Sequence, residues 1–239
     1  MKIALFGYGK MGKEIEKIAL ERGHTITAKI SRSYAKENLK PGDADAVIEF
    51  TSPEAAEENI RYCLENKIPV VIGTTGWYDQ FDAITSQCRK ENGAMLYATN
   101  FSLGVNLFFA VNKYLAKLMA NHQEYTAGVV EIHHTQKLDA PSGTGISIAE
   151  QIIANHPNYS AWQNVKKSQT ANDKTLSIES LRLPDVPGTH EVKYESEIDT
   201  IEIKHTAHNR KGFALGSVLA AEWIAGKKGI FTMNDVLNL

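Results

Sequence analysis

Residues 131–145 read EIHHTQKLDAPSGTG, and they collect groups that move protons and bind anions. His133 and His134 are adjacent, Lys137 follows three residues later, and Asp139 precedes a Pro-Ser-Gly-Thr-Gly run. Histidine and lysine can carry a proton to or from a reacting carbon skeleton, and an ammonium also pairs with a carboxylate. The PSGTG segment has helix-start chemistry, with Ser142 or Thr144 as N-cap ahead of Ile146, Ala149, Ile152 and Ile153 at helical spacing. The free N–H groups of such a first turn suit a carboxylate. Adjacent strand residues point to opposite faces, so His133 and His134 diverge unless the strand ends there. Two histidines with Glu131 or Asp139 would make a metal set, but the spacing does not suggest three-ligand geometry, and no metal is expected.

A second motif supplies the reaction partner. Gly7-Tyr8-Gly9-Lys10-Met11-Gly12 is a complete G-x-G-x-x-G between the apolar run KIALF and a helical pattern, the context in which pyrophosphate rests on a helix N-terminus. The second strand pattern, HTITAKI, ends without the acid that usually takes the adenosine ribose hydroxyls. Arg32, flanked by Ser31 and Ser33, instead suits a ribose 2′-phosphate, with Lys10 adding charge. The expected cofactor is NADPH, with NADH the weaker alternative. GTTG (73–76) and ATNFSLG (98–104) follow two further strand patterns and lie where ligands of open α/β sheets bind.

These segments need positioning. Strand and helix patterns alternate through the first hundred residues, with strands at 2–6, 24–30, 46–50, 69–73 and 94–98, which implies a parallel Rossmann-type sheet. The stretch 31–45 is too short for a further helix and strand, so the sheet should be trimmed there. A long helix at 105–120 then leads into strand patterns at 125–135, 174–183, 190–196 and 200–207, the last three joined by short links. A mainly antiparallel (mixed) sheet follows, and the polar stretch 154–173 reads as an exposed loop. FALGSVLAAEWIAG should return to the first domain as a helix. The expected class is α/β: a dinucleotide-binding domain of residues 1–102 and 213–239, and an α+β substrate-binding and oligomerisation domain of residues 103–212.

Composition excludes other classes. A net charge of −2 offers no nucleic-acid surface or polybasic membrane patch, and no apolar run approaches the length of a membrane span. The N-terminus lacks a signal-peptide pattern, and Cys63 and Cys88 have no metal-type spacing, so a cytoplasmic protein with reduced thiols is expected.

The combination of GYGKMG, IEFTSPE, VIGTTG, ATNFSLGVN and above all EIHHTQKLDAPSGTG, continued in IEIKHTAHNRKGFALGSV and GIFTMNDVL, resembles the 4-hydroxy-tetrahydrodipicolinate reductase (dihydrodipicolinate reductase) family over nearly the whole chain. The resemblance implies NADPH-dependent reduction of a cyclic imine dicarboxylate in lysine and diaminopimelate biosynthesis, by a homotetramer. It implies that His133 is the acid/base and Lys137 the proton donor, and that His134, Ser142, Gly143 and Thr144 bind substrate. Nucleotide contacts fall on Gly7, Tyr8, Gly9, Lys10, Met11, Gly12, Arg32, Gly73, Thr74, Thr75, Ala98, Thr99, Asn100 and Phe101. Where dual-specificity members carry an acid before the arginine, this chain has Ser31.

Overall fold

The computed structural model of the protein describes residues 1–31, 36–165 and 174–239. The chain forms two compact units, Met1–Leu103 with Lys211–Leu239, and Gly104–Arg210.

The first unit is built on β1 (Lys2–Phe6), β2 (Thr25–Ile30), β3 (Ala46–Glu49), β4 (Val70–Ile72) and β5 (Ala94–Tyr97). Helices α1 (Lys10–Glu21), α2 (Pro53–Glu65) and α3 (Phe81–Lys90) connect them. Every described pairing in this sheet is parallel. Its central strands are apolar and buried on both faces, as helices on two sides require. Between β2 and β3 the described residues hold only a 3₁₀ turn, Lys36–Asn38, so β2 is the edge strand and the sheet is trimmed as expected.

The second unit holds α4 (Leu103–Met119 as a whole element), β6 (Thr126–His133), α5 (Gly143–Asn155), β7 (Ala161–Val165), β8 (Thr175–Arg182), β9 (Gly188–Glu195) and β10 (Thr200–Ala207). Its strand order is β10-β9-β6-β8-β7. β6 alternates, with Ala127, Val129, Glu131 and His133 buried on one face. Ala127 and Val129 join Ile148, Ile152, Ile178 and Tyr194 in the core, whereas Glu131 and His133 carry the same face into polar territory.

The second sheet is mixed, as expected: β10–β9 and β6–β9 are antiparallel, while β6–β8 and β7–β8 are parallel. Three details differ from the sequence reading. The short link between β8 and β9 suggested a hairpin, but an inserted strand separates them. Of the stretch 154–173, read as a loop, residues 166–173 lie outside the described residues, and Ala161–Val165 forms the edge strand β7, whose Gln163 and Asn164 hid it from a hydrophobicity reading. Finally, after α6 (Lys211–Ile224), β11 (Gly229–Phe231) adds a sixth strand beside β5, followed by α7 (Met233–Leu237). A strand of three residues is too short for periodicity to reveal.

α6 packs on α1 and over β3, β4 and β5. Small residues let it come close: a Cβ at Gly216 would stand 1.7 Å from the Phe101 carbonyl oxygen. Gly216→Ala should therefore lower the melting temperature by several degrees, because overpacking at about 1–3 kcal/mol outweighs the helix propensity gained. Thermal unfolding followed by circular dichroism checks this, and an unchanged midpoint would show that α6 can shift without cost.

Candidate active site

In the first unit the turns after β1, β3 and β4 enclose a cavity of about 450 Å³ lined by Gly9, Lys10, Met11, Phe50, Thr51, Pro53, Gly73, Thr74 and Thr75. The glycines of the fingerprint differ in kind. Gly7 has φ +90° and would place a Cβ 1.9 Å from the Phe50 carbonyl oxygen, and a Cβ at Gly12 would stand 2.3 Å from the Gly7 oxygen. The fold itself demands both. Gly9, the N-cap of α1, has extended backbone and nothing within 4 Å of its missing Cβ. No side chain caps α1, and its first turn carries Lys10 rather than an acid. A cation there opposes the helix dipole unless an anion is to be bound. Ala98 and Thr99 follow β5; Asn100 accepts from the Ser102 amide at 2.8 Å, and Phe101 is buried in the core. Arg32 lies outside the described residues.

Beneath the cavity, Glu49 at the end of β3 is fully buried. Thr51 donates to it, Asn59 reaches both, and the Thr51 amide donates to Thr74 Oγ1 at 2.8 Å. Burial raises the Glu49 carboxyl above its ordinary range, opposed by hydrogen bonds from Thr51, Thr74 and Asn59. This acid, hidden in an apolar strand pattern, sets the two threonine turns of the cavity wall.

In the second unit the register of the sheet builds a polar cluster. Glu131 lies opposite Ser180 on β8 and His190 on β9, and His133 lies opposite Arg182. His133 Nδ1 stands 2.8 Å from Glu131 Oε2. Arg182 Nη2 approaches Glu131 Oε1 at 3.0 Å. Burial acts to raise the Glu131 carboxyl, but His133, Ser142, Ser180 and Arg182 together hold it well below the usual carboxylate range. Burial first, and neighbouring His133 second, push His190 down to about 3. Ser142 Oγ lies 3.2 Å from His190 Nε2 and accepts from the Gly145 amide at 3.0 Å, so Ser142, not Thr144, caps α5. Ligand atoms of Glu131, His133 and His190 lie within 4.8 Å of one another, a spacing a metal could use. The Arg182 guanidinium already answers the Glu131 charge from 3.0 Å, so a second cation would meet repulsion.

Lys137 follows the end of β6 by one turn, its amide donating to the His134 oxygen at 3.0 Å. Its ammonium donates to both Asp139 oxygens at 2.8 Å. Asp139 is largely exposed, so this pair is weak and readily exchanged for another carboxylate. His134 turns elsewhere: it lines a cavity of about 380 Å³ with Thr135, Gln136, Asp185, Asn209 and Arg210 among its walls. Gly143 has no atom within 4 Å of its missing Cβ, and Thr144 follows it in the first turn of α5. The structure thus unites His133 with Ser142 and ties them to Glu131, Arg182 and His190. Glu131 had stood only as a possible metal ligand and His190 without a role; the period-two pattern of TAGVVEIH was the available signal, while Arg182 carried none.

Fold and site define a pyridine-nucleotide-dependent reductase of the Rossmann-type plan, with a second unit in which histidine, carboxylate and guanidinium groups gather. Family models described as the N-terminus and the C-terminus of dihydrodipicolinate reductase match residues 1–101 and 104–237. The chain belongs to the dihydrodipicolinate reductase family. It is 48% identical over 238 residues to 4-hydroxy-tetrahydrodipicolinate reductase of Christiangramia forsetii, covering 100% of this chain and 98% of that one. The same-named protein of Methanocaldococcus jannaschii is 37% identical over 205 residues, 84% of this chain and 74% of that one. A solved dipicolinate-bound dihydrodipicolinate reductase from Paenisporosarcina sp. TG-14 superposes with a TM-score of 0.77, covering 97% of each chain at 23% identity, a likeness of fold. No helix among the described residues is long and apolar enough to cross a membrane.

The buried neutral His190 has a pH consequence. Unfolded, it protonates near 6.5; folded, only near 3. As pH falls through that window the unfolded state binds the extra proton, so stability present above 6.5 is progressively lost. His190→Asn should flatten the dependence of melting temperature on pH between those limits. A slope as steep as that of the unaltered protein would assign it to other groups, such as His156 and His205, which are shifted the same way.

Proposed function

We propose that the protein reduces 4-hydroxy-tetrahydrodipicolinate to tetrahydrodipicolinate with NADPH, with loss of water, in lysine and diaminopimelate biosynthesis. One hydride and one proton enter the substrate skeleton, and one water leaves. The observation that carries this reading is the joining of His133, the backbone carbonyl of Lys137 and the Ser142-capped helix start by one polar cluster, in a chain 48% identical to a 4-hydroxy-tetrahydrodipicolinate reductase over its length.

The first unit fits the nucleotide. The uncapped N-terminus of α1, the open space at Gly9 and the charge of Lys10 suit a pyrophosphate. Gly73, Thr74, Thr75 and residues 98–101 are assigned to the remaining contacts. Arg32, with no acid before it, favours the 2′-phosphate of NADPH over NADH. Bound NADPH supplies the hydride.

In the second unit Lys137 exchanges Asp139 for a substrate carboxylate and donates a proton, while His133 serves as acid/base. Ser142, Gly143 and Thr144 at the α5 start are assigned to one substrate carboxylate, through the free amides of that turn, and His134 to the other. For assembly we assign a homotetramer: α4 leaves Leu107, Val111, Tyr114 and Leu118 exposed in register along one helix face.

Four outcomes test this reading. With substrate generated from pyruvate and aspartate semialdehyde by the preceding synthase, the protein should oxidise NADPH. His133→Ala and Lys137→Ala should each lower kcat by about 10²–10⁴-fold while NADPH binding, measured by calorimetry, persists. Unimpaired turnover in either would remove that residue from the chemistry. Arg32→Ala should raise the KM for NADPH far more than that for NADH, and equal effects would refute the phosphate assignment. Gly9 and Gly143 have neither positive φ nor a close neighbour, so alanine at each should spare the melting temperature. Gly9→Ala should raise the KM for NADPH and Gly143→Ala that for the imine; a fall in stability instead would mark them as structural.

A further inference from the structure

We propose that Arg182 and Glu131 form a positioning pair that registers the two proton-carrying groups, Glu131 through the imidazole of His133 and Arg182 through the backbone that bears Lys137. The inference rests on the reaction proposed above.

The geometry is specific. Arg182 spreads its donors over three chain segments: Nη2 reaches Glu131 Oε1 at 3.0 Å and the Asp139 carbonyl at 2.6 Å, Nε reaches the Lys137 carbonyl at 3.3 Å, and Nη1 binds the Leu181 carbonyl at 2.7 Å. One rigid guanidinium thereby fastens the turn after β6 to the end of β8. An ammonium at the same place is a point charge on a flexible stem and cannot span those acceptors. Glu131 has no solvent exposure, and its second oxygen meets His133 Nδ1 at 2.8 Å. With Nδ1 turned to the carboxylate, Nε2 is the nitrogen left to work. It lies close beside Gly188, where an added Cβ would come within 3.2 Å, so glycine at that point of β9 keeps a side chain from pressing on the nitrogen. Neither Arg182 nor Glu131 needs to touch the substrate. They act through His133 and the segment of Lys137, and a displacement of about 1 Å in such groups costs on the order of 10²-fold in rate.

A structural ion pair and a positioning pair are distinguished by removing both charges together. Replacing a buried ion pair with apolar residues of similar volume is often neutral for stability. The double variant Glu131→Leu/Arg182→Met is therefore expected to remain folded at the assay temperature, melting somewhat lower for the carbonyl bonds lost, and to bind NADPH equally well, yet to turn over about 10²-fold more slowly. Recovery of full kcat in the double variant would overturn the inference. Arg182→Lys serves should the double variant not fold: it keeps the charge beside Glu131 but loses the carbonyls of Lys137 and Asp139. A clear fall in kcat with unchanged NADPH affinity is expected, and full turnover would overturn the role given to Arg182. The third readout needs no turnover. Long-range ¹H–¹⁵N correlation of the histidine rings should show the His133 proton on Nδ1 in the unaltered protein and its redistribution in the double variant. An identical tautomer in both would refute the part played by Glu131. If the unaltered protein fails to oxidise NADPH, the proposed reaction falls, while the ring spectra still decide the pair.

Discussion

A carboxylate with no access to water, Glu131, lies in the middle of the second sheet, and much of its surroundings answers that charge. An unpaired ion there would cost several kcal/mol, and loss of one partner typically costs about 3–5 kcal/mol. Arg182 arrives from the neighbouring parallel strand, His133 from two residues along the same strand, and the start of α5 lies above, where a Cβ on Gly145 would come to 3.7 Å of the Glu131 side chain. A helix N-terminus is itself favourable for a nearby anion. The same contacts that make the charge tolerable give the ring of His133 and the turn of Lys137 defined places. Stability and positioning are one arrangement here.

The first unit is governed by close approach rather than charge. The turn after β1 passes so near Phe50 that only glycine fits at Gly7, and α1 enters so tightly that the same holds at Gly12. α6 comes down on the Phe101 backbone at Gly216 for the same steric reason. Such contacts fix the strand ends in one arrangement, and Glu49, Thr51 and Thr74 then lock the wall of the cavity from below. Gly9 is the exception, unconstrained by its neighbours and open toward the cavity. The fingerprint therefore combines glycines that the fold needs with one that leaves room for something else.

The alternation of apolar runs and helical patterns made the first sheet legible, because strands buried on both faces are written as continuous hydrophobic residues. The second sheet was harder. Its parallel β6–β8 pair comes from strands far apart in sequence, and short links around 184–187 suggested an adjacency that β6 interrupts. β7 escaped notice because an edge strand with little burial carries no hydrophobic pattern, and β11 because it is three residues long. Helix ends were clearer: Pro53 at the start of α2 and Ser142 at the start of α5 act locally, through backbone geometry and a short hydrogen bond.

By itself the sequence determined the chemical inventory. His133, Lys137, Ser142 and the fingerprint glycines sit within short segments whose spacing already encodes a strand end, a turn and a helix start, and such local features need no tertiary information. Only the tertiary structure decided who partners them. Glu131, Ser180, Arg182 and His190 become neighbours through the registers of two strand pairings, one parallel and one antiparallel. Register is set by burying whole faces of strands distant in sequence, so the partners of a buried charge are chosen by long-range packing that no short motif records.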